Sequence, residues 1–154
     1  MSIDVVVLLA IAAGTIVRSG QLRARGARGT RWLLATWVAF FGFTLTAMMA
    51  AHSLEIAYHV VRGDTRIAGE RWAYDFHFYG LQLLGAVLVW QGSRCLRAAR
   101  LVSAGDVDGL QVARRAAITT LAVAVPLIPI QAFFGTIVSV LSAITVVASL
   151  KKTS

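Results

Sequence analysis

The chain has 154 residues, of which 58% are hydrophobic and 14% charged, and its mean hydropathy is +0.73. A soluble domain of this length has too little interior for so many apolar side chains, which excludes a soluble globular fold and leaves an integral membrane protein with no room for a separate soluble domain. The formal net charge of +8 does not point to nucleic acid, because the arginines cluster between apolar runs and no aromatic-interleaved basic surface accompanies them.

The first apolar run covers residues 3–17. Asp4 is the only charge before or within it, whereas a signal peptide wants positive charge ahead of its apolar core. Ala10 and Gly14 stand four apart, a small-xxx-small spacing that lets another helix approach closely. Residues 18–31 (RSGQLRARGARGTR) hold five arginines and no acid, so they read as a flexible cytoplasmic loop beside anionic lipid headgroups.

The second span runs from Trp32 to Val61, residues 32–61, longer than a ~30 Å hydrocarbon layer requires. The connection 62–71 sets three arginines against Asp64 and Glu70 and is therefore external. The third span covers residues 72–92 and continues as a helix carrying Arg94, Arg97 and Arg100, so that 93–115 is a second cytoplasmic segment. Trp32 and Trp90 then mark the inner interface, and Tyr58, Trp72 and Tyr74 the outer one. This arginine bias fits a bacterial-type cytoplasmic membrane.

The sequence 103–109 (SAGDVDG) is the clearest turn, and Asp108 with Gln111 resembles a helix-start capping pair. The last apolar stretch, residues 116–150, is too long for one straight crossing and contains Pro126 and Pro129, which predict a kink or break. Two paths are open. A single kinked crossing leaves four spans; a hairpin at the prolines returns Lys151 and Lys152 to the cytoplasm. Backbone exposed to lipid is prohibitive, which favours the single crossing. Gly135, Ser139 and Ala143 form a second small-residue stripe for helix packing. The predicted fold is thus all-α: a polytopic transmembrane helical bundle of one domain with four spans, the last of them kinked at proline.

All three histidines lie between residues 52 and 77. His52, Glu55 and His59 fall within ~60° of one another on a helix that turns ~100° per residue, making one polar stripe on span two. Ionisable groups are expensive in hydrocarbon and tend to face a bundle interior or a cavity. On span three, Asp75, Tyr79 and Gln82 share a face, while His77 points ~160° away from Asp75. If the first face turns toward span two, Glu55, Asp75, Tyr79 and Gln82 join a polar seam that could relay protons or hold the head of a quinone or lipid. If the second does, His52 and His77, or His59, become candidate axial ligands for haem b. His52, Glu55, His59 and His77 could also hold one transition-metal ion. The bland alternative is that histidines near a membrane interface are satisfied locally, and Met48, one turn below His52, reads as core.

Several chemistries fail on residue count. A di-iron carboxylate bundle needs two Glu-x-x-His motifs, which this chain lacks. No H-E-x-x-H, G-x-S-x-G, phosphate loop or G-x-G-x-x-G occurs. Cys95 is the only cysteine, so no intrachain disulfide or cysteine-based metal site can form. The expected role is a small membrane subunit or accessory protein packing with other membrane subunits or copies of itself, as in an electron-transfer complex. The alternative is a self-contained haem- or metal-binding redox protein.

Overall fold

A computed structural model describes residues 3–62, 80–129 and 132–150. Among them the chain forms five α-helices: α1 (Ile3–Ala24), α2 (Gly29–Val61), α3 (Leu81–Ala104), α4 (Val107–Ala124) and α5 (Ala132–Leu150). A single 3-10 turn, Val125–Leu127, follows α4. Among the described residues, four stretches are long and apolar enough to cross a membrane, namely Val5–Ala24, Gly29–Leu54, Val107–Leu127 and Ala132–Leu150. The all-α helical bundle is as the sequence predicts, and the protein reads as integral to a membrane. Of the four candidate spans among the described residues, however, two come from the last apolar stretch, predicted as one crossing, and none from 72–92. The described helix α3, with Arg94, Arg97 and Arg100 in its second half, is not among the four.

Residues 18–31 are helical except for a short turn at 25–28. Helix α1 continues through Arg18 and Arg23 to Ala24, because arginine is a good helix former and nothing breaks the helix before Gly26. Gly26, at φ 92°, then stops it: its N–H bonds the Arg23 carbonyl, and the Ala27 N–H bonds that of Leu22. This is a Schellman cap, and the apolar contact that accompanies such caps is made by Leu22 and Ala27, both buried in one cluster. The same device ends α3, where Gly105 at φ 84° bonds Val102 and Asp106 bonds Leu101. The expected turn is thus in place, but the cap of α4 is Asp106, whose carboxylate accepts from the Asp108 N–H at 2.9 Å. Asp108 instead occupies the first turn.

Helices α2 and α3 run antiparallel and meet most closely at Gly42 and Gly92. A Cβ on Gly42 would lie 2.8 Å from the Gly92 carbonyl oxygen, and one on Gly92 would lie 2.8 Å from that of Gly42. Cys95 packs against the same spot and is fully buried. Helix α4 presents Ala113, Ala116, Ala117 and Ala124 to this core. Such small side chains allow backbones to approach, and packing contacts rather than hydrophobicity hold helices together in lipid.

The stretch 116–150 is broken, not merely kinked. Helix α4 begins at Val107, nine residues before the apolar run becomes continuous, so each half is long enough to cross alone. Arg114 and Arg115 hide this start from a hydropathy reading. After the proline turn the chain doubles back. Ala148, near the end of α5, packs with Leu22, Ala35, Val102 and Leu110, at the same end where α4 begins. Trp37, near the start of α2, donates to the Thr145 hydroxyl at 3.0 Å. This is the hairpin path of the two considered. The turn is tolerable because the Ile128 N–H bonds the Val125 carbonyl and because Gly135 lets the Ile128 backbone nestle on α5, where a Cβ would lie 2.9 Å from its nitrogen. Residues 18–31 and the end of α3 with the start of α4 consequently share one arginine-rich end of the bundle.

Candidate functional site

Away from the arginine-rich end, the tight glycine and alanine packing gives way to phenylalanine, leucine and methionine, and a cavity of about 700 Å³ opens. Helix α1 contributes Val7, Leu8 and Ile11, and α5 contributes Phe133, Phe134 and Ile137. These two helices flank the space, α1 packing chiefly on α2. The inner wall is α2, which presents Phe40, Thr44, Met48 and His52 at successive intervals of four. That spacing places all four on one helical stripe. Leu84 and Leu88 of α3 and Leu127 of the proline turn complete the wall.

His52 is the one ionisable side chain among the described residues that line this cavity. It is half-buried. Thr44 lines the cavity, is buried and donates its hydroxyl proton to the Phe40 carbonyl at 2.9 Å, so its oxygen keeps acceptor capacity. Met48, read from sequence as core, is a wall residue, and beside it the Met49 thioether methyl fills the notch at Gly85. A largely apolar cavity with few convergent polar groups is the usual form of a small-molecule site.

Of the predicted polar seam between α2 and α3, Gln82 alone has a described side chain. Ser53 donates to the Gln82 side-chain carbonyl at 2.8 Å. Together with the Gly42–Gly92 and Met49–Gly85 contacts, this bond fixes the antiparallel register and sets His52 level with Gln82. Ser53 was not singled out in sequence, although it neighbours His52 and is a short hydroxyl in a long apolar run. His77, Asp75 and Tyr79 lie outside the described residues. Glu55 and His59 belong to α2, but their side chains lie outside the described part as well. Among the described residues no group of three or more His, Cys, Asp or Glu side chains is placed to hold a metal ion.

The small-residue stripes also have local explanations. Gly14 faces the Phe43 ring of α2, where a Cβ would come within 3.0 Å, and Gly135 faces the proline turn. Both therefore serve contacts within the chain. No family model, curated protein or solved structure matches this chain, so its functional reading rests on the cavity and the His52 wall.

Proposed function

We propose that this protein is a membrane-embedded binding protein for an elongated apolar molecule with one hydrogen-bonding group, such as a quinone or a lipid, received between α1 and α5. The observation that carries this reading is the cavity of about 700 Å³. The cavity is partly open between α1 and α5, and its apolar wall calls for an apolar occupant. An apolar space does not fill readily with water. An apolar occupant drawn from the lipid phase meets the requirement, and the His52 imidazole and Thr44 oxygen give its polar group a place to bond. Protein purified in mild detergent and extracted into organic solvent should release about one equivalent of such a molecule. Ile137→Trp, which fills the cavity, should abolish its retention while the protein stays folded.

A second reading keeps the chain as a small subunit of a larger membrane assembly, including an electron-transfer complex. It is supported by the wide apolar exposure of α1 at Leu8, Leu9, Ile16 and Val17. Partner co-purification tests it. In the redox version of this reading, His52 ligates a haem or metal ion within the cavity, and a Soret band or a stoichiometric ion is the required signature. The arginine-rich end is taken as cytoplasmic in a bacterial-type membrane by the positive-inside rule, with its arginines against anionic headgroups.

A further inference from the structure

Toward the arginine-rich end of the bundle stand Arg18 on α1, Arg25 just past its end and Arg100 on α3. Arg18 and Arg25 are seven residues apart, which places them on one side of the α1 terminus. The half-buried Arg18 reaches across to α3, where its Nη2 donates to the Leu96 carbonyl at 3.4 Å, while Nη1 donates to the Gln21 side-chain carbonyl at 3.0 Å. Arg100 stands one turn beyond Leu96 on α3, next to the carbonyl that Arg18 bonds. Only Asp106 and Asp108 supply carboxylates among the described residues of this end, and Asp106 is engaged in capping α4. A guanidinium has five N–H donors, so Arg18 keeps three to offer after its two bonds.

The depth of Arg18 is marked independently by Trp32. Trp32 donates its indole N–H to the Ser19 carbonyl at 3.2 Å, next to Arg18, with Arg23 over its ring at 5.7 Å. Arg94 lies over Trp90 at 5.1 Å. Tryptophan paired with arginine at the end of apolar helices is the pattern of the headgroup layer. Like charges held together there call for a counter-anion, and guanidinium forks suit the oxygens of a phosphodiester. We infer that Arg18, Arg25 and Arg100 form a discrete binding site for the phosphate of an anionic phospholipid at the α1–α3 junction. This site is independent of the proposed cavity ligand.

The test is lipid retention by the full chain in neutral detergent, read by native mass spectrometry against phosphatidylglycerol, phosphatidylcholine and lipid-free inorganic phosphate. The wild type should retain phosphatidylglycerol in preference to phosphatidylcholine. Each arginine removed should weaken retention about fivefold, so Arg18→Gln/Arg100→Gln should lose about 25-fold. The charge-matched pair Arg28→Gln/Arg115→Gln, at exposed positions outside the cluster, should lose less than about fivefold in total. Helicity by circular dichroism verifies folding. Should the first pair fail to fold, Arg25→Gln, at an exposed position past the helix end, carries the test with about a fivefold loss. Unchanged retention in the cluster variants overturns the site. So does an equal loss in the charge-matched pair, which would mean diffuse attraction only, and so does equal retention of inorganic phosphate, which would mean a free-anion site.

Discussion

The two ends of the bundle are built from the same helices with opposite packing. Toward the arginine-rich end, Gly42 and Gly92 bring α2 and α3 to backbone contact, and Ala98, Ala99, Ala113 and Ala117 are wholly buried around them. Toward the other end, Met48, His52, Leu84 and Phe133 line a cavity of about 700 Å³ that reaches back as far as Phe40. Small side chains let helices touch along their backbones, whereas large ones hold them apart and need not interlock. The difference teaches that the cavity follows from a change of residue size along α2 and α3, with α1 leaning on α2 and leaving its α5 side uncovered. One end holds the fold together; the other has space to bind.

Substitutions at matched positions sharpen this contrast. The largest effect should come from Gly92→Val, whose side chain would strike the Gly42 carbonyl and the Thr46 hydroxyl. Forcing α2 and α3 apart should cost about 3 kcal/mol or more, seen as loss of the thermal transition in detergent. Next comes one change made at both ends. Leu45→Ala, in the closed core at 0% exposure, should cost about 3 kcal/mol, while Leu84→Ala, on a wall that already faces space, should cost about 1 kcal/mol. Equal losses would mean that the cavity wall is packed as tightly as the core. Smaller again, Ser53→Ala removes one bond to Gln82 and should cost about 1 kcal/mol in the same assay. Smallest is Ile137→Trp, which fills space and should leave the transition within about 1 kcal/mol of wild type or slightly raise it.

Much of the closed end was legible in the sequence. The apolar runs, the arginine bias and the turn at Gly105 each act locally, and the helices containing them appear where expected. Two boundaries were displaced for physical reasons. Charge was read as loop at 18–31, although arginine favours helix and only Gly26 supplies the left-handed stop. Arg114 and Arg115 disguised the start of α4 at Val107, and the hairpin was set aside for the cost of lipid-exposed backbone at its turn, which the turn's own bond and the Gly135 contact relieve. The site was legible only in outline. His52 and Gln82 could be assigned to facing helices because antiparallel pairing fixes depth. The cavity could not, because it arises where α1, α2, α3 and α5 fail to close, and no single segment encodes that. Met48 illustrates the limit: one turn from His52 on the same stripe, it fits a core or a wall equally well until its neighbours are known.

The central claim, that the open end holds an apolar molecule beside His52, is tested most directly by mass spectrometry of what the purified protein releases into organic solvent, wild type against Ile137→Trp. The account predicts about one equivalent of a single apolar species carrying a hydrogen-bonding head from the wild type, and none from the filled variant at equal helicity. Release of only bulk lipid in non-stoichiometric amounts, or the same species in equal quantity from Ile137→Trp, would contradict it.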